Sequence, residues 1–129
     1  MARRRPVPLD ALLMWLAVGL VGCASAPRPQ PAKVRFDLGG IRADGLAGPA
    51  DGLVSVDYEY LIPADPEKIA EVKRLDPSAQ VSLVARGRIG RKDGQALCSG
   101  NTHQKEWRQV LERLTALDYV TEIRRRFWE

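Results

Sequence analysis

The chain has 129 residues, of which 45% are hydrophobic and 28% charged, so it is long enough for one folded domain with extensions and too short for two. It carries 20 Lys and Arg against 16 Asp and Glu, but residues 53–129 hold 13 basic and 12 acidic residues. A segment so close to neutral has no broad positive field to gather phosphate backbones. We therefore expect no nucleic-acid partner.

The first 22 residues have the three-part layout of a secretory signal peptide. Residues 1–5 are basic, and the apolar stretch at 11–22 is shorter than the roughly 20 residues of a spanning helix. Leu20, Val21, Gly22 and Cys23 then resemble the lipobox of bacterial lipoproteins. A thiol is the soft nucleophile that acylation needs.

The resemblance implies that Cys23 receives a diacylglyceryl group, that a signal peptidase cuts after Gly22, and that acyl chains hold the mature protein at a membrane. Two or more chains anchor a protein stably. Because Ala24 and not Asp follows the cysteine, it implies the outer membrane, facing the periplasm, in a Gram-negative source. The alternative is an ordinary secreted protein cleaved near residues 24–26, with Cys23 incidental.

Residues 23–52 are predicted to form a tether. Prolines alternate within residues 24–32, which favours extended polyproline structure and excludes helix. Val34, Phe36 and Leu38 alternate with charged residues and predict a short strand. Residues 37–52 contain five glycines and a proline, and they are predicted to be loop.

Residues 53–129 are predicted to form the domain, with the element order βαββαβ. Residues 53–62 alternate as a half-buried strand. Asp65 and Pro66 open a helix that ends at Asp76. A second strand begins at Val81, and residues 95–99 form the third. Asp93 and Gly94 predict a hairpin turn before the third strand. A second helix is predicted to be capped by Asn101 or Thr102, with an apolar stripe from Trp107 to Leu117. A last strand is predicted within residues 119–128.

This order predicts an α+β domain of the ferredoxin-like class, a four-stranded antiparallel sheet with two helices on one face. The crossover rule places the first and third strands side by side in the centre. Taking these two strands as parallel, we expect the loops at 63–65 and 99–103 to meet at one end of the sheet.

The segment 99–103, SGNTH, is the candidate ligand site. A glycine-containing turn that opens a helix presents free amides to an anion, and four side chains can add contacts. These are Ser99, Asn101, Thr102 and His103. The alternative is an ordinary capped helix, with the amides satisfied by Asn101 or Thr102.

Cys98 is an odd thiol in an exported chain. It can pair with another protein, become oxidised, act as a nucleophile with His103, or simply be a small buried hydrophobe. Cys98 and His103 are too few ligands for a closed metal centre. We expect neither a metal nor another cofactor.

Basic residues are concentrated at 86–92 and 124–126. Either segment can contact anionic lipid headgroups or an acidic protein. The alternative is a solvated strand face on which Asp57 and Glu59 oppose Arg124 and Arg126.

The function predicted from these features is that of a non-enzymatic accessory lipoprotein. It is held at a membrane through its lipid and binds an unknown envelope protein through the open sheet face or the hairpin. The runner-up is a small-ligand or anion sensor that uses residues 99–103. A hydrolase or thiol enzyme built on Cys98 and His103 is least favoured, because no carboxylate pair, Ser-centred motif or metal set accompanies them.

Overall fold

The computed structural model describes residues 29–127. This part of the chain contains six strands and two helices. In chain order they are β1 (Leu46–Ala47), β2 (Val54–Ser55), β3 (Asp57–Pro63), α1 (Pro66–Leu75), β4 (Gln80–Ser82), β5 (Gln95–Asn101), α2 (Trp107–Thr115) and β6 (Ile123–Arg126). Four strands form an antiparallel sheet in the order β4-β5-β3-β6, and β1 pairs with β2 in a separate ribbon. The predicted mixed class, with two helices and a four-stranded antiparallel sheet, is confirmed. The ribbon was not predicted.

The two central strands, β3 and β5, run antiparallel, with Asp57 opposite Asn101 and Pro63 opposite Gln95. The prediction that they are parallel, and that the loops at 63–65 and 99–103 meet, is therefore wrong. The connection through helix α1 explains this arrangement. It makes β4 parallel to β3, and β5, which follows β4 and is antiparallel to it, is therefore antiparallel to β3 as well. The two loops lie at opposite ends of the sheet.

Both helices pack on the same face of the sheet. Every second residue of β3 and β5 joins one buried cluster with the apolar stripes of the helices, because side chains alternate between the two faces of a strand. The members from these four elements are Tyr58, Tyr60, Ile62, Val72, Ala96, Cys98, Trp107, Val110, Leu111 and Leu114. The opposite face carries no helix among the described residues, and we call it the open face.

Helix α1 begins and ends where its sequence predicts. The Asp65 carboxylate accepts from the Glu67 amide at 2.9 Å, and Pro66 occupies the first turn. Helix α2 begins at Trp107, later than predicted, and its cap residue Glu106 has a left-handed backbone with φ 56° and no side-chain cap bond. The prediction that Asn101 or Thr102 caps this helix is wrong, because Asn101 ends β5.

The core also takes residues from the segment predicted to be tether. Val34, Leu38 and Ile41 are 5%, 1% and 8% exposed and belong to the same cluster as the sheet and helices. Instead of a strand over 34–38, Val34 makes one parallel bridge to Ile123, with Arg35 N–H donating to the Ile123 carbonyl at 2.9 Å. The packed part of the chain thus includes residues before Leu53.

A loop at residues 83–94 joins β4 to β5. The predicted turn at Asp93 and Gly94 forms, with Gln95 N–H donating to the Lys92 carbonyl at 3.1 Å, but it closes this loop and does not join the two strands directly. Strand β4 stops at Ser82 because the Ser82 hydroxyl accepts from the amides of Val84 and Ala85, at 3.3 and 3.0 Å, and turns the chain off the sheet. We call this segment the 83–94 loop. It lacks the two-residue connection that an Asp-Gly turn would give.

The 83–94 loop folds back over part of the open face. Ile89 N–H donates to Oε1 of Glu59 at 2.7 Å, and Glu59 is 1% exposed beneath it. Gly87 has φ +63°, and a Cβ there would lie 2.8 Å from Glu59 Oε2 and 2.9 Å from a methyl of Leu97. Both the backbone angle and the space therefore require glycine at this position.

Candidate binding cavity on the open face

A cavity of about 250 Å³ opens on the helix-free face of the sheet, at the end where β5 finishes. All but one of its lining residues carry polar side chains. The lining consists of Asp57, Ser78, Gln80, Ser99, Gly100, Asn101 and Arg126. Such a cavity offers hydrogen-bond donors and acceptors, and none of these seven lining residues is aromatic.

Hydrogen bonds hold the cavity walls in place. Asp57 lies opposite Arg126 in the ladder between β3 and β6, and Arg126 Nη1 donates to Ser99 Oγ at 2.9 Å. Asn101 Nδ2 donates to Ser55 Oγ at 2.9 Å and also to Asp57 Oδ1. One carboxylate and one guanidinium therefore share a small polar space, which suits a small polar molecule better than a purely anionic one.

The structure brings together two of the four residues predicted to bind a ligand. Ser99 and Asn101 line the cavity. Thr102 is fully buried, and its hydroxyl donates to the Gly45 carbonyl at 2.6 Å and accepts from Val56 N–H at 2.9 Å. That hydroxyl has a structural role.

His103 lies apart from the cavity, at a different and shallower depression. It is exposed, its amide donates to Asn101 Oδ1 at 2.6 Å, and its Nδ1 lies 3.3 Å from the Asp44 carbonyl oxygen. The 99–103 segment also does not open a helix, since α2 starts at Trp107. The argument for an anion held on free helix amides is therefore wrong, and binding at Ser99 and Asn101 stays a prediction.

A buried polar cluster lies behind the cavity, and the sequence analysis missed it. The carboxylate of Asp76 is fully buried and accepts from Tyr58 OH at 2.8 Å, Tyr60 OH at 3.1 Å, Ser78 Oγ at 2.6 Å and Gln104 Nε2 at 3.2 Å. We call these five residues the Asp76 cluster. Burial, followed by the charge of Asp76, raises the pKa of both tyrosines well above its ordinary value, so both hydroxyls remain donors.

The Asp76 cluster is joined to the cavity through Ser78. Its hydroxyl oxygen accepts from the Asn101 amide at 3.0 Å while its proton goes to Asp76. The sequence signal that could have revealed the cluster is the position of Tyr58 and Tyr60. Both lie among the alternate residues of β3 that face the core, and a buried tyrosine hydroxyl needs a hydrogen-bond partner.

Cys98 faces the helices and is fully buried. Desolvation, followed by the charge of Asp76, raises the pKa of its thiol to about 12, so the thiol is protonated at neutral pH. A protonated, buried thiol is a poor nucleophile, and His103 lies exposed at the surface. The interpretation of Cys98 as a small buried hydrophobe is confirmed.

Two further findings concern residues 29–127. Over this range no group of three or more His, Cys, Asp or Glu side chains is arranged to hold a metal ion. Neither described helix combines the length and apolar character needed to cross a membrane. Comparison of the chain with protein-family models, curated proteins and solved structures finds no match.

Proposed function

We propose that this protein is a lipid-anchored, non-enzymatic binding module of the bacterial cell envelope. Acyl chains on Cys23 hold it at a membrane, which is the outer membrane facing the periplasm in a Gram-negative source. Its domain binds another envelope component through the open face of the sheet. The lipobox-like residues 20–23 support the anchor, although they lie outside the described residues.

The domain is proposed to be ferredoxin-like. The element order β3-α1-β4-β5-α2-β6 and the strand order β4-β5-β3-β6 support this assignment. So does the packing of both helices against one face of the sheet.

The open face is the observation that carries the binding role. Both helices pack against the other face, whereas the open face combines a cavity held by hydrogen bonds with charged side chains of both signs. An ordered polar surface of this kind supports a role in recognition. The burial of Cys98 supports a non-enzymatic role, because a buried thiol is a poor nucleophile.

We expect the Cys23→Ser variant of the full chain to leave the membrane fraction entirely when it is expressed in bacteria. A serine hydroxyl lacks the nucleophilicity needed to take a diacylglyceryl group, so the precursor is neither acylated nor cut before residue 23. Fractionation, together with mass spectrometry of the N-terminal peptide, measures both effects.

A matched control is Cys98→Ser, because this second thiol is buried in the domain. We expect this variant to be acylated and membrane-bound like the parent. If the Cys23→Ser protein instead stays with the membrane and is processed at the same residue, the proposed anchor is wrong.

A second candidate function is a sensor of small polar ligands, favoured by the placement of Ser99 and Asn101 in the cavity.

We expect Ser99→Val, which fills the cavity and removes the Arg126 contact, to weaken binding of a ligand at least about fivefold. Amide chemical shifts during titration with glycine, L-serine and inorganic phosphate measure this. Thr121→Val, at an exposed position on another part of the surface, is the control. Shifts confined to residues that do not line the cavity, or shifts unaffected by Ser99→Val, would count against a site here.

A further inference from the structure

The 83–94 loop displays two adjacent apolar side chains to solvent. Val84 is 82% exposed and Leu83 is 56% exposed, and they are two of the four large hydrophobic residues so exposed within residues 29–127. Single exposed apolar residues are ordinary on protein surfaces. Two in sequence, at the start of the loop directly after β4, form a small exposed apolar patch, which we call the apolar tip.

The exposure of the apolar tip is built into the loop. The Ser82 hydroxyl binds the amides of Val84 and Ala85, and the Arg91 guanidinium donates to the carbonyls of the same two residues, at 3.2 and 2.9 Å. Arg91 Nη1 also donates to the Lys92 and Gln95 carbonyls. A loop braced in this way pays little ordering entropy when it binds.

Positive charge is concentrated in the same loop. Residues 83–94 hold four basic residues and one acidic residue, whereas the rest of 53–129 holds nine basic and eleven acidic residues. Three of the basic residues line a shallow hollow of about 300 Å³ beside the tip, together with one carboxylate. These residues are Arg86, Arg91, Lys92 and Asp93.

We propose that the 83–94 loop docks on a bilayer that contains anionic phospholipid. The apolar tip enters the acyl boundary while the basic hollow takes a headgroup phosphate. The apolar tip suits the hydrocarbon boundary of such a membrane, and the basic hollow suits its negatively charged headgroups. A free anion would use the hollow and leave Leu83 and Val84 without a role, and an acidic protein would need an apolar pocket for these two exposed side chains.

The short distance along the chain from Cys23 places a bilayer within reach. The seven residue steps from Cys23 to Gln30 span at most about 25 Å, and a domain of about 100 residues has a radius of gyration near 13 Å. The proposal rests on the proposed function in one respect only, namely that an acylated Cys23 keeps the domain close to a membrane. Docking itself is a property of the loop, and it can be measured without any acyl group.

The test uses the mature chain from residue 23 with Cys23→Ser, mixed with vesicles of phosphatidylcholine with or without phosphatidylglycerol. We expect cosedimentation only with the anionic vesicles. Leu83→Ser combined with Val84→Ser should weaken binding roughly tenfold, and Arg86→Gln or Lys92→Gln about fivefold each. The matched controls are Val54→Ser, an apolar residue 56% exposed on β2, and Arg113→Gln on α2, and neither should change binding.

Insertion is measured directly with an environment-sensitive dye on Val84→Cys, since Cys98 is buried and escapes labelling. A blue shift with anionic vesicles, absent for the same dye on Val54→Cys, is the expected result. Equal binding to both vesicle types, no binding to either, or a loss of binding that is the same in control and loop variants would overturn the proposal. Binding of inorganic phosphate or polyglutamate that competes with vesicles and is indifferent to the tip variants would also overturn it, in favour of a free anion or an acidic protein.

Discussion

A fragment that begins at Leu53 will not fold cooperatively at 25 °C, whereas the mature chain from residue 23 will unfold in a single transition. The fragment lacks Val34, Leu38 and Ile41, all buried in the main core. Each such side chain contributes about 1.5–3 kcal/mol by burial. Their sum approaches the whole free energy of unfolding of an ordinary domain, about 5–15 kcal/mol. Thermal melts followed by circular dichroism measure the difference.

A single substitution separates this effect from any general cost of truncation. Leu38→Ala in the mature chain should lower the free energy of unfolding by about 2–5 kcal/mol. Ala32→Gly, at an exposed position in the same segment, should change it little. A fragment from Leu53 that melts as sharply and at the same temperature as the mature chain would show that these residues are dispensable.

The Asp76→Ala variant should lose about 2–6 kcal/mol of its free energy of unfolding in urea denaturation, at about 1–3 kcal/mol for each of the two buried hydroxyl groups left without an acceptor. Removing the carboxylate leaves the hydroxyls of Tyr58 and Tyr60 without their acceptor inside the core. A buried donor that loses its partner carries its full desolvation cost. The Ser78 hydroxyl, which braces the cavity wall, is released as well.

The matched control lies at the other end of the same helix. Asp65→Ala removes the N-cap of α1 and should cost only about 1 kcal/mol. Asp76→Asn keeps one acceptor oxygen and should fall between the two. If Asp76→Ala costs no more than Asp65→Ala, the Asp76 cluster contributes nothing special to the stability of the core.

The local features of the fold were readable from the sequence. Helix α1 has its N-cap, its proline and its terminating aspartate within twelve residues, and each acts on the nearest backbone. The apolar stripe of α2 from Trp107 to Leu114 is likewise local, because residues three and four apart share a helix face. The class of fold and the number of helices and sheet strands followed from these signals.

The features that failed depend on side chains far away in sequence. Thr102 was expected at a helix cap, but its hydroxyl serves Gly45 and Val56, more than 45 residues away. Asp93 and Gly94 form their turn, but it does not join β4 to β5 directly, because Ser82 turns the backbone off the sheet at the end of β4. The four residues predicted to form one ligand site are separated in the structure. Ser99 and Asn101 line the cavity, whereas Thr102 lies in the core and His103 is exposed at the surface.

The two outer strands of the sheet have a consequence for self-association. Exposed strand edges are templates on which further copies of a chain can add and grow into fibres. Strand β4 offers only three residues before Ser82 bends the backbone away, and the outer side of β6 is already engaged at Ile123 by the backbone of Lys33 and Arg35. Both features shorten the strand edge that a second copy of the chain could extend.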